Sequence, residues 1–206
     1  GRIISEKFLA ENKQYDMTYD TLSRVIERKE TNLSTGEITT ETYSYDAAGN
    51  ITTFKVDDEN NHYEYDVNNR LISYNGNPIA YDSDGNMISG FINGAEISMT
   101  YDSANRLITA GGITYQYDVY GNRIMSICGD NQKTYTYNTN GELSQLLVIE
   151  SQGGTVTKFV YGVGLIGHEN TEGFYTYHYD YRGSTTAITD EDGVITDTFS
   201  YDTYGQ

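Results

Sequence analysis

Along most of this chain, aromatic and aliphatic residues alternate with polar ones, and the alternation is broken at regular points by short polar stretches. Tyr115-Gln116-Tyr117-Asp118-Val119-Tyr120-Gly121-Asn122-Arg123-Ile124 shows the pattern in full. A strand has a side-chain period of two, so Tyr115 and Tyr117 share one face. Asp118 suits the first position of a type I turn, where its carboxylate can accept bonds from backbone N–H groups ahead of it. Gly121 supplies the left-handed conformation that closes such a turn. The stretch therefore predicts strand, tight turn, strand.

The rest of the chain is close to a set of copies of this unit, and such internal periodicity decides the fold class first. Copies run from Met17-Thr18-Tyr19-Asp20 to Arg24-Val25, and then recur with Tyr45, Asp46 and Gly49. Tyr65 and Asp66 follow, then Tyr81, Asp82 and Gly85, then Tyr101 and Asp102. After Tyr117, Asp118 and Gly121 come Tyr137 and Gly141, with Asn138 in the aspartate position. Phe159-Val160-Tyr161-Gly162 is a degenerate copy; Tyr179, Asp180 and Gly183, and Tyr201, Asp202 and Gly205, complete the set. Asn69 and Asn105 stand where glycine is missing, and Asn is the best non-glycine residue for a left-handed position.

Successive second tyrosines are separated by 26, 20, 16, 20, 16, 20, 24, 18 and 22 residues. Every gap is even, which a hairpin explains: lengthening both arms by one residue keeps the cross-strand pairing. Second turns are expected between the copies, at residues 31–37, 57–61, 75–78, 92–95, 110–112, 129–131, 152–154 and 190–193. The runs around them are rich in the strand formers Ile, Thr, Val and Tyr. Thr21 to Glu30 has some helical character but follows a repeat tyrosine, so it is read as strand. Gly1-Arg2-Ile3 resembles the second half of a turn and Gly205-Gln206 stops inside one. The expectation is a single array over residues 1–206, cut at both ends from a longer one.

Composition changes this picture in two ways. Tyr numbers 21 of 206 residues, with no Trp and one Pro. A buried Tyr needs a partner for its hydroxyl, so the core should be a half-wet tyrosine layer. The formal net charge of −17 disfavours nucleic acid and anionic lipid as partners. Cys128 is the only cysteine; it excludes an intrachain disulfide and is expected to pack as a small hydrophobe. No apolar run is long enough to span a bilayer.

Candidate chemistry is thin. Gly162-Val163-Gly164-Leu165-Ile166-Gly167 spells a dinucleotide fingerprint, but a strand-like rather than helical stretch follows, so a close crossing of strands is expected instead. Asp82-Ser83-Asp84-Gly85-Asn86 and Asp190-Glu191-Asp192-Gly193 lack the ligand spacing of a calcium loop and read as turn acids. His62, His168 and His178 lack metal-ligand spacing, and His178 should face away from Tyr177 and Tyr179. No catalytic constellation, cofactor site or metal site is assigned.

The unit Tyr-x-Tyr-Asp-x-x-Gly-Asn-Arg-Ile resembles the YD repeat of the RHS family, whose relatives include bacterial polymorphic toxins, wall-associated proteins, toxin-complex C components and teneurins. Residues 175–206, with Tyr177-His178-Tyr179-Asp180-Tyr181-Arg182-Gly183, look like the start of the RHS-associated core region. The resemblance implies an all-β fold of consecutive antiparallel hairpins in a curved, spiralling sheet, part of a hollow shell. It implies a structural function: wall of a secreted or surface-delivered bacterial shell around a C-terminal toxin or cargo. The implied partners are the flanking repeats and that cargo, with self-association through free sheet edges. The family's Asp-Pro-x-Gly-Leu self-cleavage motif is absent, since the single proline, Pro78, follows Asn77. A carbohydrate-binding or adhesive module contacting cell-surface glycans remains the alternative, because aromatic faces beside Asn and Asp suit sugar stacking.

Overall fold

The structure, a computed structural model, describes residues 2–8, 12–92, 94–201 and 203–205. Gly1, Asn93, Asp202 and Gln206, which the turn assignments above include, lie outside the described residues. All regular structure among the described residues is strand. One antiparallel sheet holds β1 (Ser5–Phe8), β2 (Lys13–Tyr19), β3 (Val25–Asn32), β4 (Ile38–Tyr45), β5 (Ile51–Val56), β6 (Glu59–Tyr65), β7 (Leu71–Tyr74) and β8 (Asn77–Pro78). A second begins with β9 (Ala80–Tyr81), β10 (Met87–Ile92), β11 (Ala95–Tyr101), β12 (Leu107–Ala110), β13 (Ile113–Tyr117), β14 (Arg123–Cys128) and β15 (Asn131–Asn138). It continues through β16 (Gln145–Ser151), β17 (Val156–Tyr161), β18 (Leu165–Asn170), β19 (Gly173–Tyr179), β20 (Thr185–Thr189) and β21 (Ile195–Thr198). Neighbours in each sheet are neighbours in sequence, as a chain of hairpins requires. By compactness the chain divides into one unit of Gly1–Ile97 with Thr203–Gln206 and another of Ser98–Asp202.

The turns fall where the period-two pattern stops. At Asp118 the N–H of Gly121 donates to the Asp118 carbonyl at 3.2 Å, and the N–H of Asp118 donates to the Asn122 carbonyl at 2.9 Å. Gly121 has φ 88°. This is a type I turn followed by a left-handed residue, a hairpin link that brings a bulge with it. The bulge is visible in the register: Gln116 pairs with Met125, but Tyr117 pairs with Arg123, leaving Ile124 unmatched. The same shift occurs at Thr18/Tyr19, Ser44/Tyr45, Glu64/Tyr65, Thr100/Tyr101, Thr136/Tyr137, Val160/Tyr161 and His178/Tyr179. On the opposite ends of the strands, links such as Asn75-Gly76, with φ 50° and 78°, join strands with two residues in the mirror-image turn that matches strand twist.

Burial is shallow. The buried apolar side chains of the first unit are Tyr15, Val25 and Tyr43; that of the second is Ile188. None of the described side chains falls below 2% exposure. The strands instead alternate half-buried and exposed positions, as Ile113, Tyr115 and Tyr117 do against Thr114 and Gln116. A layer only partly removed from water tolerates the phenol hydroxyl, which fits the Tyr-rich composition.

Three expectations change. Thr21–Arg24 is not strand: it is the turn after Tyr19-Asp20, and the strand starts at Val25, because Asp20 captures the N–H groups of Leu22 and Arg24. Cys128 is exposed at the end of β14, although it pairs with the half-buried Ile113, because the sheet covers the strand end little. Gly141 is not left-handed, unlike Gly49, Gly85, Gly121, Gly183 and Gly205. Asn138 offers one acceptor oxygen where the other turns have a carboxylate; the Asn140 N–H takes it at 3.1 Å, and the Glu142 side chain has no donor to add. That link therefore relaxes into a longer loop before Gln145.

Candidate functional site: the tyrosine–aspartate seam

Asp20, Asp46, Asp66, Asp82, Asp102 and Asp118 hold their turns with both carboxylate oxygens. Oδ1 of Asp118 accepts from the N–H groups of Tyr120 and Asn122, each at 2.9 Å, and Oδ2 accepts from Asn122 Nδ2 at 2.8 Å. Asp82 bonds Asp84 and Asn86 in the same way, and Asp46 bonds Asn50. Asp66 and Asp102 use the same scheme with arginine: Oδ2 takes Arg70 Nε at 2.8 Å and Arg106 Nε at 2.7 Å. Asp180 bonds the N–H groups of Arg182 and Ser184. Asp190 bonds those of Asp192 and Val194, so this turn uses the repeat scheme although no tyrosine pair precedes it.

These bonds favour the ionised acid. The N–H of the residue four positions on is the first cause at Asp20, Asp66 and Asp102, which lie below the ordinary carboxylate value of 3.8. The side-chain amide of that residue is the first cause at Asp46, Asp82 and Asp118. Burial works against both and is the second cause at each acid. The acids read in the sequence as turn formers are therefore occupied ones, and among the described residues no group of three or more His, Cys, Asp or Glu is placed to hold a metal ion.

The second tyrosine of seven units does something the sequence pattern did not reveal. After a turn, the outgoing strand pairs with the next one only at its far end. Between β12 and β13 the pairs are Thr109 with Thr114 and Ala110 with Ile113, so the ladder stops before it reaches Leu107 and Tyr117. There the Tyr117 hydroxyl donates to the Leu107 carbonyl at 2.8 Å. Tyr19 reaches Ile3, Tyr45 reaches Val25, Tyr81 reaches Leu71, Tyr137 reaches Arg123, Tyr179 reaches Leu165 and Tyr201 reaches Thr185 in the same way, at 2.5–3.0 Å. A side-chain bond thus replaces the ladder bond where the strands part. Tyr115, a first tyrosine, makes no such bond, and Met17, Ile79, Met99, Phe159 and Phe199 stand in the first position elsewhere.

Arginine completes the seam. Arg24 lies over the Tyr45 ring at 4.5 Å, Arg70 over Tyr81 at 5.3 Å and Arg106 over Tyr117 at 5.2 Å, distances at which a ring face attracts a cation. Nη1 of Arg24 and of Arg106 also donates to the carbonyl of the next turn aspartate, Asp46 and Asp118, at 3.1 and 2.9 Å. Burial pushes the phenols of Tyr45, Tyr65, Tyr81 and Tyr137 above their ordinary 10.0.

Away from the seam, the first unit contains a buried ion pair. Arg28 and Glu41 face each other across β3 and β4, with Nη1 to Oε1 at 2.5 Å. Arg28 lies 4.2 Å over the Tyr15 ring, and Tyr43 donates to Glu41 Oε2 at 2.8 Å. No charge signal in the sequence distinguished this pair from its exposed neighbours. In the second unit His168 stacks on Tyr175 with centroids 4.8 Å apart, and burial lowers its pKa. His178 is exposed and bonds Thr189. Gly167, last of the G-x-G-x-x-G run, lies in strand β18, and a Cβ there would come within 2.0 Å of the Tyr175 carbonyl. The run marks a close approach of β18 and β19.

The family model for the teneurin YD-shell matches residues 8–79 and 77–161. No curated protein matches the sequence. Solved structures that resemble the chain include two Tc toxin assemblies. The Photorhabdus luminescens Tc holotoxin pore with a mutated TccC3 is 14% identical, with TM-score 0.40, over 95% of this chain and 14% of that one. The crystal structure of TcdB2-TccC3-TEV is 14% identical, with TM-score 0.39, over 95% of this chain and 15% of that one. The chain thus spans about one seventh of the length of the solved chains it matches.

Proposed function

The chain belongs to the teneurin YD-shell family, and from that premise we propose that it is a wall segment of a secreted, bacterial RHS-type shell. Its work is containment of a C-terminal toxin or cargo, without catalysis of its own. The observation that carries this reading is the seam. The described repeat aspartates spend their carboxylates on turns, and seven of the repeat tyrosines spend their hydroxyls on the preceding turn. Groups so committed build a wall and are poor acids, bases or nucleophiles. On this reading residues 1–206 are one array, residues 175–206 open the core-like region, and Tyr45, Asp46, Gly49 and their counterparts are structural positions. The partners are flanking repeats, which would pair with the sheet edges, and the cargo.

The test is limited proteolysis of the whole parent protein. The cargo domain should resist a protease that digests it when expressed alone, and seam substitutions such as Tyr81→Phe with Tyr117→Phe should expose it. Equal digestion of cargo in the intact parent and in isolation would end the containment reading. Glycan binding has less support, because Arg24, Arg70 and Arg106 cover tyrosine faces that a sugar would need. Saturable binding on a glycan array, lost on one Tyr→Ala change, would reinstate it.

A further inference from the structure

Two kinds of turn alternate along the seam. Ser23-Arg24, Asn69-Arg70 and Asn105-Arg106 end the turns at Asp20, Asp66 and Asp102; Gly49-Asn50, Gly85-Asn86 and Gly121-Asn122 end those at Asp46, Asp82 and Asp118. We propose that Arg24 and Arg106 clamp their hairpins to the next one, and that the turn ending in Asn50 leaves the following junction as a hinge. The proposal concerns the mechanics of the sheet and stands whether or not the parent encloses cargo.

The difference lies in reach. Arg106 uses Nε on its own Asp102, Nη1 on the Asp118 carbonyl, and its planar face on Tyr117. Arg24 does the same with Asp20, Asp46 and Tyr45. One rigid fork therefore fixes two turns at once, with a charged group on the backbone carbonyl of the second. Asn50 and Asn122 spend Nδ2 on their own Asp46 and Asp118. Beyond that, Asn50 reaches only the Asn69 side chain, at 2.9 Å, a neutral bond between two amides. The Tyr65 hydroxyl makes none of the hydrogen bonds to a preceding turn that Tyr45 and Tyr81 make. The β5–β6 ladder likewise ends at Thr53 with His62, so nothing from the ladder spans Ile51 to Tyr65. The junction after Asn122 is not such a hinge, because the Tyr137 hydroxyl donates to the Arg123 carbonyl at 3.0 Å and Arg123 covers the Tyr135 ring at 5.0 Å.

Amide hydrogen exchange on the intact chain tests this. Amides at Val25 and Tyr43–Tyr45, across a clamped junction, should exchange more slowly than those at Ile51 and Tyr63–Tyr65, across the hinge. Arg106→Gln should speed exchange together at turns 102–106 and 118–122, by about tenfold for loss of a charged hydrogen bond. Arg106→Lys keeps an ion pair with Asp102 but loses the fork, so it should restore the first turn and not the second. Asn50→Arg should slow exchange at turn 66–70. Equal exchange at the two junctions would overturn the proposal. So would an Arg106→Gln effect confined to turn 102–106, or full restoration of both turns by lysine.

Discussion

Removing the Tyr117 hydroxyl isolates the seam bond from everything else that tyrosine does. Tyr117→Phe keeps the ring, its half-buried position and most of its stacking with Arg106. It deletes one neutral hydrogen bond of 2.8 Å to the Leu107 carbonyl, at a point where the β12–β13 ladder has already stopped. A neutral intramolecular hydrogen bond contributes a net of about 0.5–1.5 kcal/mol, and no cavity forms to add to it. The expected loss is about 1 kcal/mol, roughly a fivefold shift in the unfolding equilibrium. Tyr115→Phe is the matched control. Tyr115 lies two residues away on the same face, with Arg123 at 5.3 Å from its ring, and makes no such bond, so its change should stay within about 0.5 kcal/mol. Urea unfolding, followed by circular dichroism, reads both, provided the slope with denaturant is unchanged. Because the chain forms two compact units, exchange of the β12 and β13 amides should accompany it to locate the loss in the second unit. Equal destabilisation by the two changes would refute the claim that the second tyrosine acts through its hydroxyl.

Other consequences follow from the same geometry. The folded pKa values of Asp20, Asp46, Asp66, Asp82, Asp102 and Asp118 lie below the ordinary 3.8, so their stabilisation is complete above 3.8 and lost as pH falls through the folded values. Urea midpoints should be flat near neutrality and drop below 3.8; a midpoint that stays flat to strong acid would contradict this. The phenols of Tyr45, Tyr65, Tyr81 and Tyr137 lie above 10.0, so stability should also fall as pH rises past 10, in step with phenolate absorbance. Gly121→Ala meets open space but a φ of 88°, and should cost about 1 kcal/mol in thermal or urea unfolding, with Gly121→Asn costing less. Gly167→Ala, 2.0 Å from the Tyr175 carbonyl, should cost more than either. Arg28→Met strands the Glu41 carboxylate and should lose about 3 kcal/mol, whereas the double change with Glu41→Leu should recover most of it.

Much of the fold was legible because turn chemistry is local. Asp118 and Gly121 act within one turn, and their spacing announces it; the even gaps between repeat tyrosines then restrict the array to hairpins. The bulge at Ile124 was not legible, because an unmatched residue on an exit strand needs no special side chain: Ile26, Thr52, Ile72 and Thr186 hold the same place. Nor was the seam, which joins residues such as Leu107 and Tyr117 that belong to different repeats. Arg28 and Glu41 gave no warning either, since their burial depends on which strands become neighbours.

Yet a signal for the seam was present. The first position of the tyrosine pair accepts Met17, Ile79, Met99, Phe159 and Phe199, while the second is tyrosine in every copy. Both positions lie on the same face of a strand, so packing alone would let phenylalanine into either. Only a demand for the hydroxyl distinguishes them, and in seven of the ten copies the carbonyl of the preceding turn exit supplies that demand. The same reasoning separates arginine from asparagine four residues after the aspartate: both close the turn, but Arg24 and Arg106 also reach the backbone carbonyl of the next turn aspartate, whereas Asn50 reaches only a side-chain amide. In a repeat protein the positions that link one copy to its neighbour are those where variation within the chain is chemically narrower than burial requires.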